Sequence, residues 1–250
     1  MSAELRLPLR SFSLARDPAG CAVWQEHLQE RAFDPRTVAL LISDMWDQHW
    51  SAGATHRVAQ LAPRIDALAD RLRRLGAQIV HAPADTEPFY ADHPARLRLL
   101  GTTIRPEPVV REVTVVPSPV FDSDGGSDTG EPQAMVDTRV WTRQHPSIHI
   151  DEERDVIAHD EGTLIRSYLR DHGITTIIYA GVHANLCVLR TRTFSIVPSL
   201  RVGFDTVLAG RFTDAMYNPA QRPYVAHDVG TRLVVEHIAK HYCPVVWEGL

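Results

Sequence analysis

Lysine is all but missing from this chain. Of its 26 basic residues every one except Lys240 is an arginine, so fixed positive charge is plentiful while a titratable amine exists at one side chain. Cysteine is scarce as well. Cys21, Cys187 and Cys243 are too few and too scattered for a disulfide framework and form no C-x-x-C pair, so reduced thiols are expected. No run approaches the roughly 20 apolar residues of a membrane span, and "MSAELRLPLRSF" lacks the apolar core and cleavage site of a signal peptide. Excess positive charge is lacking too: the net charge of −5 and pI near 6.2 argue against binding to nucleic acid or an anionic membrane. The expectation is a cytoplasmic protein whose partner is a small-molecule substrate, with no nucleic acid and no membrane.

What is present is a rhythm. Short apolar runs alternate with amphipathic segments, the pattern of strands joined by crossover helices. The strands predicted are "TVALLISD" (37–44), "AQIVHAP" (77–83), "TRVWTR" (138–143), "ITTIIYAG" (174–181), "RVGFDTVLAG" (201–210) and "CPVVW" (243–247). Helices are predicted over 57–76, 161–172, 185–197 and 226–240. Near-continuous apolar strands between helices imply an α/β fold, a three-layer α/β/α sandwich around a six-stranded mostly parallel sheet. One domain is expected over 1–250. Residues 1–34 read as an extension of a strand and a short helix, and 102–136 as a Pro- and Gly-rich loop insertion. Within it "FDSDGGSDTGEP" has a superficial likeness to a calcium loop, but Gly126 stands where an acidic ligand is needed. A solvated loop is expected there.

In an open parallel sheet, ligands bind beyond the carboxyl ends of the strands, where strand order reverses. The polar residues predicted at those ends are Asp44, His81, Asp85, Arg143 and the turn "GVHANLC". Cys187 falls at a predicted helix start, where unpaired N–H groups favour a thiolate or an oxyanion. Its alternative reading is a small buried apolar residue. Asp44 suits general acid/base work, or a cap or turn. Asp47 and His49, with His81, His93 or Asp85, are candidate Zn²⁺ ligands, although no H-E-x-x-H motif fixes their geometry.

The combination is more specific than its parts. An Asp ending the first of these strands and "GVHANLCV" entering a helix after the fourth make the chain resemble the isochorismatase-like cysteine hydrolases, which include nicotinamidases, N-carbamoylsarcosine amidases and ureidoacrylate amidohydrolases. The resemblance spans roughly 37–247. It implies a six-stranded parallel α/β fold and an Asp, Lys, Cys triad, with Cys187 the nucleophile and Asp44 its base. It also implies a cis peptide at Val182–His183, forming an oxyanion hole with the Cys187 N–H. The family Lys aligns with Arg143, which offers charge but no proton shuttle, and Lys240 is badly placed to substitute.

Trp46, His49, Trp50, His81, His145 and His183 are expected to line the substrate pocket. Some relatives bind zinc through an Asp-x-His pair, a spacing matched by Asp47 and His49; no organic cofactor is expected. Members are commonly oligomeric, which implies a homo-oligomer. The leading expectation is an amidohydrolase that cleaves a small-molecule C–N bond (amide, carbamoyl or lactam) through a thioester intermediate. Two alternatives stand beside it. One is a vinyl ether hydrolase using Asp44 without the Cys, and the other a catalytically silent binding or regulatory protein, motivated by the missing Lys.

Overall fold

The computed structural model describes residues 4–121, 125–131 and 139–250. A long hairpin opens the chain: β1 (Leu5–Arg16) and β2 (Ala22–Phe33) pair antiparallel from Leu5↔Phe33 to Arg16↔Ala22. Leu5, Leu7 and Leu9 point alternately into the core, whereas β2 buries only Phe33. This corrects the predicted short helix in 1–34. "VWQEHLQERA" is rich in helix formers, but twelve residues of cross-strand pairing override a local propensity worth tenths of a kcal/mol per residue.

The α/β series follows. It comprises β3 (Val38–Ser43), α1 (Ala52–Leu75), β4 (Gln78–Ala82), α2 (Glu87–Tyr90), α3 (Pro94–Leu100), β5 (Val156–Ile157), α4 (Gly162–Asp171) and β6 (Thr176–Val182). After a short helical turn come α5 (Ile196–Arg201), β7 (Asp205–Asp214), α6 (His227–His241) and β8 (Val245–Val246). The sheet order is β2-β1-β8-β7-β6-β3-β4-β5. Its six strands from β8 to β5 are parallel, and the hairpin adds two antiparallel strands beside β8.

In β3 and β6 every residue is buried, as strands covered on both faces require. On one face α1 packs Val58, Leu61, Ile65, Leu68 and Leu72 against the sheet together with the β1 leucines. On the other lie α4, α5 and α6, with Ile165, Leu169, Val197, Val234 and Ile238. Ser51 caps α1 through its hydroxyl, and Gly76 ends it in the left-handed conformation at φ 99°.

Two further expectations are corrected. Residues 139–143 form no strand, and Thr138 lies outside the described residues. The segment is drawn instead to the loop after β3: Trp46 bridges Gln144, Asp47 N donates to Arg143 O, and the Asp47 carboxylate accepts from Thr142 N and Oγ1. Val156–Ile157, both fully buried, take the edge position beside β4. The helix predicted over 185–197 is broken into a π-type turn, Cys187–Thr191, and α5. The loop 102–136 is irregular over 102–121, but Gly125, Gly126 and Ser127 are buried rather than solvated. The Glu131 carboxylate explains this. It accepts from Ser127 N, Ser51 Oγ and Gly53 N, so this part of the loop docks on the α1 N-terminus.

Strand order reverses between β3 and β6, which are hydrogen-bonded neighbours. Their last paired residues are Ser43 and Gly181. Gly181 has φ 99°, and a Cβ there would stand 2.1 Å from Ser43 O. The two strands thus end side by side with no room for a side chain between them, and the next residues out belong to the candidate site.

Candidate active site

Beyond Val182 the chain turns through a cis peptide bond to His183, the bond the family resemblance implies. The turn is held from β7: Ala184 N donates to Asp214 O, Asn185 Nδ2 donates to Met216 O, and Asn185 Oδ1 accepts from Met216 N. Leu186 N and Val188 N both donate to His183 O, and Thr191 N donates to Leu186 O, the wide spacing of a π-type turn. Cys187 opens that turn and is partly exposed, while its neighbours Val188 and Leu189 are buried. A thiol serving only as core filler would share their burial.

Asp44 follows β3 directly and is 0% exposed, in the left-handed region at φ 45°. Non-glycine residues adopt that conformation chiefly where function or tight turning requires it. Its carboxylate is fully engaged: the Cys187 thiol donates to it, Ala84 N donates to Oδ1 at 2.9 Å, and Arg192 Nε donates to Oδ2 at 3.0 Å. A third arm of the same guanidinium, Nη2, reaches Asp85 Oδ2 at 2.9 Å.

The cation that meets Asp44 is Arg192; Arg143, the expected one, stands elsewhere. Arg143 is 43% exposed, lies 4.0 Å from Asp47 Oδ2, and sits over the Phe89 ring. The expected cation lies after the third predicted strand, but the one at Asp44 comes from the end of the Cys187 turn, five residues after Cys187. The sequence signal was "CVLRTRT": the turn that carries the nucleophile also carries arginines.

Burial raises the Asp44 carboxyl above its ordinary range, against the opposing pull of Arg192 and the hydrogen bonds from Cys187 and Ala84. Burial also pushes the Cys187 thiol well up, and the neighbouring Asp44 charge pushes it further, while Arg192 opposes both. These influences favour a protonated Cys187 thiol over a preformed thiolate. Burial works against the charge on Arg192, but Asp44 and Asp85 together keep it protonated.

The isochorismatase domain family model matches residues 38–196. The chain belongs to the isochorismatase family. Among solved structures it is similar to a cysteine hydrolase from Pseudomonas syringae pv. phaseolicola 1448A, with a TM-score of 0.51 at 14% identity over 85% of this chain and 89% of that one. An isochorismatase from Pseudomonas putida KT2440 gives 0.48 at 14% identity over 86% and 89%. The nicotinamidase from Bacillus subtilis gives 0.43 at 18% over 83% and 99%. At these identities the likeness is one of fold. No curated protein matches.

This isochorismatase-family chain gathers only some of the expected pocket residues around the triad. Trp46 donates its Nε1 to Ala84 O, lies under the Arg192 guanidinium, and stacks on Trp141 at 4.2 Å. His49 stacks near both rings and meets Trp50 at 5.5 Å and His183 edge-on at 5.5 Å. His183 is buried beside Cys187's turn, and burial, with His49 adding, pulls it down to about 3, so it is a neutral imidazole. Trp141 was not anticipated, because the strand predicted over 138–143 would have placed it in the sheet.

His81 and His145 do not join this group. His81 is 0% exposed, with Nδ1 on Gln144 Oε1 and Nε2 on Asp155 Oδ2, and Arg73 completes the network by a two-pronged bond to Asp155. His145 is turned into its own loop, where Nδ1 accepts from Ser147 N and the backbone N–H binds Met45 O. Asp85, one of the proposed zinc ligands, instead supports Arg192.

A zinc set built on Asp47 and His49 does not fit. Both Asp47 oxygens are taken by Thr142, and His49 Nδ1 accepts from Ser51 N. Among the described residues no group of three His, Cys, Asp or Glu converges. A cavity of about 610 Å³ between α1 and α6 is walled by Asp214 and His227 and includes no member of the Cys187, Asp44, Arg192 set.

Proposed function

We propose that the protein is a cysteine-dependent hydrolase of a small-molecule C–N bond, acting through a thioester on Cys187. The observation that carries this reading is the Cys187 thiol set against a buried Asp44 carboxylate that Arg192 holds from its other oxygen at 3.0 Å. A thiol of raised pKa is a poor nucleophile until its proton leaves, and a buried carboxylate of raised pKa is the matching acceptor. As the sulfur bonds to the substrate carbonyl carbon, the thiol proton passes to Asp44.

The carbonyl oxygen becomes an oxyanion facing the N–H groups of His183 and Cys187. The hydrogen bonds of the turn leave room for this. Ala184, Leu186 and Val188 spend their N–H groups inside the protein, whereas those of His183 and Cys187 meet no carbonyl among the described residues. Collapse of the intermediate breaks the C–N bond, and Asp44 returns the proton to the leaving nitrogen. Water then attacks the thioester with Asp44 as base, which releases the acid and restores the thiol. Arg192 carries no proton in this cycle; it fixes the carboxylate and balances its charge. With that cation in place, the motive for the silent-protein reading is gone.

The test is a panel of small amides and ureas with mass analysis of Cys187. Wild-type protein is expected to turn over a member of the panel and to show a transient acyl adduct on Cys187. Cys187→Ala is expected to lose both, and an Ala variant that retains turnover overturns the reading in favour of Asp44 acting alone on another bond.

A further inference from the structure

Beside the triad lies a second cavity, of about 430 Å³, that none of the chemistry above uses. Its walls include Asp85, Pro88, Phe89, Arg139 and Trp141. Two contacts join it to the reacting centre. Asp85 is the far partner of Arg192, and the Trp141 ring stacks on Trp46, which lies under the same guanidinium.

Its walls are aromatic and its polar groups are mostly donors. Phe89 is 52% exposed and presents an aromatic face to the cavity. Trp141 Nε1, which can only donate, is buried and without a hydrogen-bond partner. An unpaired buried donor is destabilising, and an acceptor brought to it removes that penalty. One guanidinium, Arg139, belongs to its walls, and a second, Arg143, adjoins it over the Phe89 ring. Arg139 is 56% exposed and only loosely held, at 3.4 Å from Asp85 O and 3.5 Å from Asp85 Oδ1. Arg143 lies over Phe89 at 5.3 Å, and the nearest carboxylate, Asp47, is already bonded to Thr142. The acids here are accounted for: Asp85 by Arg192, Asp47 by Thr142.

We infer that this cavity is a specificity subsite for the end of the substrate remote from the scissile bond, and that it takes a planar group terminating in a carboxylate. The inference rests on the amidohydrolase reading, which puts the scissile carbonyl at Cys187. The flat portion lies between Phe89 and Trp141, and the carboxylate accepts from Arg139, Arg143 and the Trp141 indole. Arg143 thus becomes a residue of substrate choice rather than of the triad.

The experiment uses 4-carbamoylbenzoate and its neutral methyl ester as a matched pair. Binding is measured by calorimetry on Cys187→Ala protein, in which no turnover intervenes. The acid is expected to bind at least about tenfold tighter than the ester, the scale of one or two charge-assisted hydrogen bonds. The added substitutions Arg139→Gln and Arg143→Gln are expected to erase that difference by weakening the acid alone, and 0.5 M salt to narrow it. Equal binding of acid and ester, or loss of both in the double variant, overturns the inference. Turnover of the same pair by wild-type protein reads the other question. Preferential binding of the acid with neither compound hydrolysed sustains the subsite and counts against amide hydrolysis, whereas hydrolysis of both with equal affinity does the reverse.

Discussion

Arg192 Nε stands 3.0 Å from Asp44 Oδ2 while Nη2 of the same guanidinium stands 2.9 Å from Asp85 Oδ2. One planar group thereby holds the buried Asp44 carboxylate and is itself anchored by Asp85 at the cavity wall. Removing it as Arg192→Met leaves Asp44 buried without a counter-charge. We expect kcat to fall roughly a hundredfold or more, the scale of losing one preorganised electrostatic contact, with Arg192→Lys recovering part of it. The diagnostic reading is the pH profile. Without Arg192 the Asp44 carboxyl rises further, so the acid limb of kcat/KM moves to higher pH. An unmoved limb with a lower plateau would mean that Arg192 does not act through Asp44.

The raised Asp44 and Cys187 make a second expectation. Activity needs Asp44 ionised, so it falls as pH drops through a carboxyl pKa lying above the ordinary range. Iodoacetamide is expected to alkylate Cys187 slowly at neutral pH, with the rate climbing into the alkaline range, because burial and Asp44 oppose the thiolate. Peptide mass spectrometry separates this from the exposed Cys21 and the buried Cys243. Rapid labelling of Cys187 that is flat from pH 6 upward would contradict a thiol ground state.

Much of the molecule's lower half was legible before any coordinates. The runs 37–44, 77–83 and 174–181 are strands because they are apolar on both faces, and α1 follows from one apolar stripe. Cys187 and Asp44 follow from their places at two strand ends. What misled was context that no local pattern carries. "TRVWTR" has a strand's composition, yet Asp47 captures Thr142 and holds the segment off the sheet. "VWQEHLQERA" has a helix's composition, yet β1 pairs with it throughout. The resemblance points to Arg143 by its place after the third predicted strand, whereas the π-type turn in fact brings Arg192 to Asp44.

Burial of Asp155 with Arg73 and His81 gives a stability prediction. Burial alone would raise this carboxyl, but His81 and Arg73 hold it at about 2, against 3.8 ordinarily. A depressed carboxyl stabilises the fold above pH 3.8 and loses that contribution as pH falls through about 2. Its size is on the order of 2 kcal/mol. Urea unfolding at pH 7 should show Asp155→Asn less stable by about 3 kcal/mol, since buried Arg73 keeps only a 3.8 Å contact with Asp70. The gap between variant and wild type should narrow by pH 2.5. A gap independent of pH would show that ionisation of Asp155 is not what stabilises.

His237 predicts a milder acid sensitivity. Burial, with His241 and Lys240 adding, lowers it to about 4 from 6.5. Its neutral form therefore supports the fold fully above pH 6.5, and that support is lost as pH falls toward 4. His237→Phe should flatten the decline of Tm over this window, measured by scanning calorimetry. An unchanged slope would place the acid sensitivity elsewhere, His183 being the next residue to replace.

Gly181 carries no reactive group, yet a methyl at that position would overlap Ser43 O. The residue after Ser43 is Asp44, and the turn beyond Gly181 leads to Cys187. An alanine there would act as a wedge: thiol, carboxylate and guanidinium would all remain in the chain, and the proposed hand-off of a single proton would fail for want of contact. The reach between these two side chains is thus set by the width of an empty space.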